Sequence, residues 1–570
     1  MRRQSYWHAM PTLAAGLWLL LATAGAPRPA TSPPAPSGAA ALDCSALATA
    51  RDWGGLPDAP TQLTAVAVAA TEYDPAYCRI SGYIAPQVHF ELRLPTGGWD
   101  GRYYQAGCGG LCGTLAPSAE CLEALRRGLA VGFSDLGHQG AGGQWGSNDW
   151  QLRVDFAYRA NHVLAIVAKQ VIAAYYGQPP RAAYFVGCSD GGREALMEAQ
   201  RFPDDFDGIV AGAPALLFAP LNGINQPWKA QANLDAQGLP ILLPEQLPLV
   251  HDAVLAACDG LDGLVDGLID EPRACQFDPG VLRCGAAVGP QCLTDAQVEV
   301  VRRLYSGPVD AAGQHLYPGG LAYGSELNWA GQIVAPAGAL PGFARIGTDF
   351  VRYLSRPLPQ PLDRTALDVP FTREWFDDLR AVGTLYNAAD PALHAFRARG
   401  GKLILYHGWA DPDIPPQGTI AYYAAVQDQM GGLAATQQFA RLFLLPGVGH
   451  CRGGAAPQHV DWLTAIIDWV ERGVAPDRLI AVQYANDGPR TMPPAGLPPD
   501  AAGARSAMEP SGPPVRTRPL FPYPLRAQYL GEGSPDDASS FRPVPLPPLV
   551  DHYDWIGQDL FTPATPFRAE

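Results

Sequence analysis

Apolar residues are grouped in two different ways along this chain. Six short runs have the length and composition of buried β-strands: residues 102–106, 129–134, 182–186, 206–211, 402–406 and 441–445. Two longer stretches, at 155–176 and 193–200, have apolar residues that recur at helical spacing. Strands that alternate with helices are typical of a sheet with helices packed on it, so the pattern predicts an α/β fold.

The alternation is lost between residues 215 and 395, a stretch rich in proline, glycine, tryptophan and aspartate. Insertions at the carboxyl ends of sheet strands usually shape a substrate pocket. We therefore interpret residues 215–395 as a lid domain inserted into a catalytic domain made of residues 42–214 and 396–550. Residues 485–519 have a loop-like composition, and residues 551–570 form a C-terminal tail.

The first 24 residues have the features of a secretory signal peptide. Two arginines precede a short apolar run at 13–22, and small residues follow it. We place cleavage after Ala24, because Pro27 would follow a cut at Ala26 directly. Residues 25–41 are then a Pro/Ala-rich linker. An uncleaved anchor is the alternative, but no later run reaches about 18 apolar residues. We expect a secreted or periplasmic protein with no stable membrane span.

Composition limits the partners and the redox state. The 570 residues are 47% hydrophobic and 17% charged, which is typical of a globular protein. The net charge of −15 argues against a nucleic-acid partner, since phosphate binding needs basic patches. Export permits disulfide bonds, and the eleven cysteines are an odd number, so at least one thiol stays free or pairs outside the chain.

A glycine-flanked serine follows the third predicted strand. Ser189 lies in Gly-Cys-Ser-Asp-Gly at 187–191, and a helical pattern comes next. This is the context of a nucleophile elbow, a strained turn that exposes the serine hydroxyl and needs glycine on both sides. The motif alone is a weak signal, and a plain strand-to-helix turn is the alternative interpretation.

An acid and a base follow the serine in the order that this kind of site requires. Asp411 comes after the fifth predicted strand, and His450 follows the sixth through a glycine-flanked loop. Asp413 competes with Asp411, which we prefer on order and spacing. A serine, an aspartate and a histidine in this order predict ester hydrolysis by acyl transfer.

Two other histidines also end predicted strands. His138 and His407 both precede the acid in the chain and therefore break the expected order. We interpret them as hydrogen-bonded residues near the pocket.

A tetrahedral intermediate needs two preorganised N–H donors for its oxyanion. The backbone N–H of Asp190 is one candidate. The glycine-rich loop after residues 102–106 supplies Gly109 or Gly110 as the other. A plain turn is the first alternative for this loop, and a phosphate-binding loop is the second.

Cysteines adjoin both halves of the predicted site. Cys188 precedes Ser189, and Cys451 follows His450. If the serine and the imidazole lie within hydrogen-bond reach, these cysteines come close to the roughly 4.4–6.8 Å between Cα atoms that a disulfide requires. We therefore predict a Cys188–Cys451 bridge that holds the catalytic pair together.

Carboxylates and glycines recur at short spacing in residues 258–270. Ca²⁺ takes about six to eight oxygen ligands, both carboxylates and carbonyls. The segment offers the carboxylates of Asp259, Asp262 and Asp266 and the carbonyls of Leu264 and Leu268. The spacing is not that of an EF-hand, and a series of solvated acidic turns is the alternative. Zinc is disfavoured because no histidine is near.

These motifs together resemble the tannase/feruloyl esterase family of α/β-hydrolases, which includes mono(2-hydroxyethyl) terephthalate hydrolases. The matching segments are GCSDGGREALMEAQRFPDDFDGIVAGAPA (187–215), YHGWADPDIPP (406–416), PGVGHC (446–451) and DGLDGLVDGLID (259–270). The resemblance extends over residues 42–541. It implies an α/β-hydrolase sheet with a large inserted lid, a triad on Ser189, Asp411 and His450, and a structural Ca²⁺ in the lid.

The resemblance also implies three disulfide bonds, Cys44–Cys78, Cys258–Cys275 and Cys284–Cys292. Members of the family often carry a further C-terminal disulfide, but Phe521 and Phe541 stand at those positions here. Three cysteines remain around the predicted oxyanion loop. We assign Cys112–Cys121 as a bridge and Cys108 as a free thiol.

The fold, the motifs and the resemblance predict a secreted serine carboxylic ester hydrolase. Its expected substrates are small aromatic esters of the feruloyl or galloyl type, cleaved through an acyl-enzyme. A terephthalate monoester or chlorogenate hydrolase of the same family is one alternative. A non-catalytic binding protein on this scaffold is another, and an exopeptidase or thioesterase on the same fold is a third.

Overall fold

The computed structural model describes residues 42–285, 289–336, 338–339, 341–356, 362–487, 512–546 and 552–563. The chain divides into two units, Met1–Pro36 and Ser37–Glu570, and every described residue lies in the second. The predicted signal peptide (1–24) and linker (25–41) lie outside the described residues. So do residues 488–511, which are part of the stretch at 485–519 with a loop-like composition.

Nine strands form the central sheet. They are β1 (Thr61–Val68), β2 (Tyr77–Ile84), β3 (Val88–Pro95), β4 (Arg102–Ala106), β5 (Ala130–Ser134), β6 (Ala182–Cys188), β7 (Gly208–Gly212), β8 (Lys402–Gly408) and β9 (Ala440–Leu445). Their spatial order is β1-β2-β3-β5-β4-β6-β7-β8-β9. The pairs β1–β2, β2–β3 and β3–β5 are antiparallel, and all pairs from β5 to β9 are parallel. The loops that follow the parallel strands therefore meet at one edge of the sheet.

Helices connect these strands and fill the long connection between β7 and β8. The α-helices are α1 (Ala119–Arg126), α2 (Trp150–Val154), α3 (Ala160–Tyr176), α4 (Asp190–Arg201), α5 (Phe218–Pro220), α6 (Gln226–Ala232), α7 (Leu247–Cys258), α8 (Asp295–Ser306), α9 (Gly342–Asp349), α10 (Arg373–Tyr386), α11 (His394–Ala398), α12 (Gln417–Met430), α13 (Leu433–Thr436) and α14 (Trp462–Arg472). Short π-helical turns lie at Asp155–Arg159, Leu221–Asn225 and Phe350–Leu354. The 3₁₀ turns are Cys44–Thr49, Gln144–Gly146, Pro244–Gln246, Asp259–Asp262, Pro272–Ala274, Pro279–Leu282, Glu326–Trp329, Ala366–Asp368, Ala538–Ser540 and Gln558–Phe561.

Both faces of the parallel part of the sheet are covered. Tyr184 and Phe185 are neighbours on β6 but belong to different core clusters, because successive strand residues point to opposite faces. Phe185 shares its cluster with Leu164 of α3, and Tyr184 shares its cluster with Ile466 of α14. Burial on both faces explains why these strands form nearly continuous apolar runs in the sequence.

Residues 213–401, between β7 and β8, are called the inserted segment below. They have a hydrophobic cluster of their own, which includes Trp228 of α6, Val254 of α7 and Leu304 of α8. The described part of the segment is helical and irregular. It carries two local disulfide bonds, Cys258–Cys275 and Cys284–Cys292.

The C-terminal part adds two small antiparallel ribbons. Strands β10 (Leu479–Tyr484) and β11 (Pro514–Leu520) form one, and β12 (Leu525–Tyr529) and β13 (Phe541–Pro545) form the other. Phe521 and Phe541, the two positions where relatives often carry cysteine, belong to one small cluster here. Leu264 of the predicted calcium loop packs against that cluster. Apolar packing thus joins the segments that a disulfide would join.

Five disulfide bonds are formed, and one predicted pairing is wrong. Cys44–Cys78, at 5.5 Å between Cα atoms, and the two bridges of the inserted segment are the pairs that the family resemblance implied. Cys112 does not pair with Cys121 but with Cys108, which was assigned as free. Cys112 and Cys121 cannot pair because the sheet lies between them. Cys112 belongs to the core cluster on one face of the sheet, and Cys121 of α1 belongs to the cluster on the other face.

Cys121 is the free thiol of the described residues. Its side chain is fully buried, and burial raises the pKa of the Cys121 thiol to about 12. A thiol in this state is unreactive at neutral pH.

In the described part of the chain, no helix has both the length and the apolar character needed to cross a membrane.

Candidate active site

Ser189 occupies a strained turn between β6 and α4. Its backbone has φ 67° and ψ −123°, a conformation that residues with a side chain rarely adopt. The flanking glycines allow the turn to close. A Cβ atom at Gly187 would lie 2.4 Å from the carbonyl oxygen of Gly191, and one at Gly192 would lie 2.3 Å from that of Gly212. The local geometry is that of a nucleophile elbow.

His450 lies between the serine and the acid. Its Nε2 atom is 2.8 Å from Ser189 Oγ, and its Nδ1 atom is 2.8 Å from Asp411 Oδ2. The imidazole therefore donates Nδ1–H to the carboxylate and accepts the serine O–H at Nε2. The loops after β6, β8 and β9 supply the three side chains, so three distant segments meet at the carboxyl edge of the sheet.

Asp411 is fully buried, yet its surroundings favour the carboxylate. Its Oδ1 atom accepts from the backbone N–H groups of Asp413 and Ile414 at 2.7 and 3.0 Å. His407 Nε2 lies 3.1 Å from Oδ2. Burial acts to raise the pKa of Asp411, but the adjacent His450 and the hydrogen bond from His407 outweigh it and hold that pKa well below its usual range.

The competing carboxylate has a different position. Asp413 Oδ2 lies 3.8 Å from His450 Nε2, on the nitrogen that faces Ser189. It is Asp411 that lies beside Nδ1, where an orienting acid belongs. His407 stands behind Asp411 with a fully buried side chain, a contact that its place in the sequence did not indicate.

His138 contacts the predicted oxyanion loop, the loop that follows β4. Its Nε2 atom is 2.7 Å from the carbonyl oxygen of Leu111, and its ring stacks on Trp145 with centroids 4.1 Å apart. Burial lowers the pKa of His138 to about 4, so the ring is neutral at pH 7. A neutral His138 donates Nε2–H to the Leu111 carbonyl.

The Cys188–Cys451 bond spans the candidate pair. The Cα atoms of the two cysteines are 5.9 Å apart, and 263 positions separate them in sequence. Each cysteine is covalently adjacent to one residue of the candidate pair, so the bond limits how far Ser189 and His450 can move apart.

The residues proposed for the oxyanion hole lie around the elbow. No described acceptor bonds the backbone N–H groups of Gly109, Gly110 and Asp190. A Cβ atom at Gly109 or Gly110 would contact nothing within 4 Å, so these glycines face open space. The loop packs directly on the elbow, since a Cβ at Gly191 would lie 2.8 Å from the Cys108 carbonyl oxygen.

A buried glutamate ties this loop to α4. Glu194 Oε1 accepts from the backbone N–H of Cys108 at 3.3 Å, and Oε2 accepts from Asn161 Nδ2 at 2.7 Å. Burial, and then the nearby charge of Asp190, raise the pKa of Glu194 to about 8. Asp190 itself is paired with Arg193 through contacts of 2.5 and 2.9 Å. Sequence patterns gave no sign that Glu194 contacts Cys108 and Asn161, because these three residues are far apart in the chain.

Side chains of the inserted segment hold the acid loop. Lys229 Nζ donates to the carbonyl oxygens of Pro412 and Asp413 at 2.9 and 2.7 Å. Asn328 Nδ2 donates to that of Ala410 at 2.9 Å. Lys229 is 2% exposed, and burial lowers its pKa to about 8. The position of Asp411 therefore depends on contacts from outside the sheet.

The predicted calcium loop has the chemistry that a hard cation prefers. Asp259 is buried, the Asp266 side chain is 7% exposed, and Asp259 accepts backbone N–H bonds from Asp266 and Gly267 at 3.3 and 2.9 Å. Burial, and then repulsion from Asp266 and Asp259, raise the pKa of Asp262 to about 6. All candidate ligands are oxygens, and their negative charges repel one another, so the residue set fits Ca²⁺.

The loop carboxylates do not converge on one point. Within the described residues, two groups of side chains place ligand atoms within 4.8 Å of one another, and neither includes Asp259, Asp262 or Asp266. One contains Asp411, Asp413 and His450, and the other contains the Cys108–Cys112 bridge with Asp190 and Glu194. The guanidinium of Arg518 contacts the Asp266 carboxylate and offsets part of the loop's charge.

Comparison with known proteins identifies the family. The model of the family described as tannase and feruloyl esterase matches residues 75–544. This chain belongs to that family. It is 34% identical to the mono(2-hydroxyethyl) terephthalate hydrolase of Piscinibacter sakaiensis, over 84% of this chain and 86% of that one. It is also 34% identical to a probable feruloyl esterase of Arthroderma benhamiae, over 78% and 80%.

Solved structures agree with this assignment. The crystal structure of feruloyl esterase B from Aspergillus oryzae superimposes with a TM-score of 0.74 at 26% identity, covering 88% of this chain and 100% of that one. The fold is of the α/β-hydrolase type, and the protein is a carboxylic ester hydrolase.

Proposed function

We propose that this protein is an exported serine esterase that cleaves small aromatic esters of the feruloyl or galloyl type through an acyl-enzyme. The observation that carries the proposal is the continuous hydrogen-bonded series from Ser189 Oγ through His450 to Asp411. Relatives named as feruloyl esterase and terephthalate monoester hydrolase support an aromatic acyl group.

The geometry accounts for both half-reactions. Ser189 Oγ attacks the ester carbonyl while Nε2 of His450 takes its proton, and Asp411 stabilises the imidazolium that forms. The N–H groups of Asp190 and of Gly109 or Gly110 donate to the oxyanion. Collapse of the intermediate breaks the ester C–O bond, and Nε2 returns the proton to the departing alcohol. Water then repeats the sequence on the acyl-enzyme and releases the acid.

The inserted segment serves in this proposal as a lid that also supports the site. Part of it has a separate hydrophobic cluster, and Lys229 and Asn328 connect it to the acid loop. Asp259, Asp262 and Asp266, with the carbonyls of Leu264 and Leu268, would hold a structural Ca²⁺. That ion supplies stability to the segment and takes no part in ester cleavage.

Export is supported by two features. The first residues have the composition of a signal peptide, and the five disulfide bonds suit an oxidising compartment.

Active-site labelling tests the proposal. A fluorophosphonate probe should label Ser189, and Ser189→Ala should lose labelling and lower kcat by on the order of 10⁴–10⁶-fold. Ser45→Ala is the matched control, since Ser45 is exposed and far along the chain from the elbow. Methyl ferulate, methyl gallate, chlorogenate and the terephthalate monoester form the substrate panel. An unlabelled Ser189, or turnover retained by Ser189→Ala, would contradict the assignment.

A further inference from the structure

One carboxylate beside the reacting atoms has no task in the mechanism above. Asp413 Oδ2 lies 3.8 Å from His450 Nε2, and this nitrogen also contacts Ser189 Oγ at 2.8 Å. The Asp413 side chain is 14% exposed. It therefore lies on the reacting side of the imidazole, whereas Asp411 lies behind the ring.

The backbone of Asp413 is fixed by contacts on both sides. Its N–H donates to Asp411 Oδ1 at 2.7 Å. Its carbonyl oxygen accepts from Lys229 Nζ at 2.7 Å and from Gln226 Nε2 at 3.1 Å. These contacts fix the backbone of Asp413 and hence the point from which its side chain extends, and in the structure Oδ2 lies 3.8 Å from Nε2.

The oxygen of the departing alcohol comes near this carboxylate when it takes its proton from Nε2. In the first half-reaction Nε2 gives its proton to the alcohol oxygen, which requires a distance of roughly 2.6–3.2 Å between the two atoms. Asp413 Oδ2 is 3.8 Å from the same nitrogen, so it lies at most about 7 Å from the departing oxygen. A hydroxyl on an adjacent carbon of the alcohol can therefore come within hydrogen-bond reach of Asp413 Oδ2.

We propose that Asp413 is a specificity-determining residue that recognises the alcohol part of the ester through a neighbouring hydroxyl. An ionised carboxylate accepts hydrogen bonds and donates none, so it favours alcohols with further hydroxyl groups. It disfavours alcohols that carry a negative charge, because like charges repel. The inference rests on the proposed esterase function and adds the residue that selects the leaving group.

Three ferulate esters that differ only in the alcohol test it: those of glycerol, methanol and glycolic acid. The enzyme should prefer them in that order. Asp413→Asn should lower the glyceryl-to-methyl ratio of kcat/KM by about fivefold or more. It should raise the glycolate-to-methyl ratio by a similar factor, since the repulsive charge is gone. A general loss of catalysis lowers all three values together and cannot move the two ratios in opposite directions.

Asp428→Asn is the matched control. Its side chain lies on α12 and is 67% exposed, and both ratios should stay at their original values. Thermal unfolding of both variants shows that the fold is intact. If Asp413→Asn hydrolyses the esters with unchanged ratios, the subsite is overturned while the esterase function stands. If the unsubstituted enzyme hydrolyses none of the three esters, the proposed function itself fails and the subsite fails with it.

Discussion

Asp411 Oδ2 contacts two imidazoles, those of His450 and His407. The other contacts of the His407 ring determine which of its nitrogens carries a proton. His407 Nε2 faces two acceptors, Asp411 Oδ2 at 3.1 Å and the carbonyl oxygen of Ile414 at 2.9 Å. Nε2 must therefore carry a proton. Nδ1 lies 2.8 Å from Thr419 Oγ1 and can accept the threonine O–H, so a neutral ring satisfies every contact. His407 acts as a donor that stabilises the carboxylate and fixes its direction.

Replacing His407 with phenylalanine should therefore change the pH dependence as well as the rate. Loss of the donor concentrates negative charge on Asp411, which raises the pKa of His450. The acidic limb of kcat/KM should then move to higher pH, and kcat should fall by about 10-fold or more. Thr419→Val removes only the contact behind the ring and should have a smaller effect. An unchanged pH profile with a lower melting temperature would show that His407 serves packing alone.

Residue type and chain order predicted part of this arrangement. Order and spacing favoured Asp411 over Asp413, and order set His407 aside because that residue precedes the acid. Order could not show that the backbone turns after β8 and brings His407 back against the acid. Such contacts depend on loop conformation, which has no periodic signal in the sequence.

Among the elements, the strands buried on both faces were the easiest to predict. The six apolar runs correspond to β4–β9, with ends shifted by a few residues. β1–β3 were missed because all three mix polar with apolar residues, and four of the eight positions of β1 are exposed. The Cys112–Cys121 error has a related cause. Spacing along the chain does not reveal on which face of the sheet a side chain will lie.

The calcium loop allows a prediction at the scale of one element. Calcium that binds only the folded state stabilises it by about 2.7 kcal/mol at 100 times its dissociation constant. A chelator should therefore lower the melting temperature by several degrees, and elemental analysis should find about one calcium per chain. Asp262→Asn should abolish both the metal content and the chelator effect. Asp252→Asn, an exposed change on α7, should preserve both. If the protein contains no metal and its melting temperature is the same with and without chelator, the predicted calcium site is wrong.

The predicted calcium loop should also make the stability of the protein depend on pH when no calcium is bound. In the absence of metal, the raised pKa of Asp262 means that the folded state binds a proton more readily than the unfolded chain. Without calcium, stability should fall as pH rises from about 4 to about 6, because the loop then gains unneutralised charge. With calcium present this fall should be absent, since the ion replaces the proton.

At the scale of the whole molecule, the end of the chain binds together parts that are distant in sequence. Trp555 is 3% exposed and packs against Tyr317 and Phe376 of the inserted segment. Phe561 approaches Tyr422 of α12, which lies after β8. The described part of the predicted tail thus connects the inserted segment to α12.

Trp555→Ala should accordingly cost about 3–5 kcal/mol of stability, the usual range for removing a large buried aromatic side chain. Its kcat should be unchanged at temperatures where the variant is folded, because the ring contacts described for Trp555 are with Tyr317, Phe376 and Phe561 and not with Ser189, His450 or Asp411. Leu530→Ala, at a residue 47% exposed, is the control and should change stability little. Denaturant unfolding measures both. A loss of stability as small as that of the control would mean that the tail does not anchor the molecule.

The Cys188–Cys451 bond encloses the entire inserted segment, so its removal should affect stability and activity together. The chain-entropy relation gives about 5–6 kcal/mol for a closed loop of this length. It gives about 2–3 kcal/mol for the short loop of Cys284–Cys292. Replacing both cysteines of each pair with serine separates the two effects. The short-loop variant should melt lower with kcat unchanged.

The long-loop variant should melt lower still and also lose kcat, because Ser189 and His450 can then move apart by more than the hydrogen bond between them tolerates. Rates are compared at a temperature where both variants are fully folded, so that stability does not enter the comparison. Equal kcat in the two variants would mean that the packing of β6 and β9 within the sheet is enough to align the pair, and that the bond acts on the unfolded chain alone.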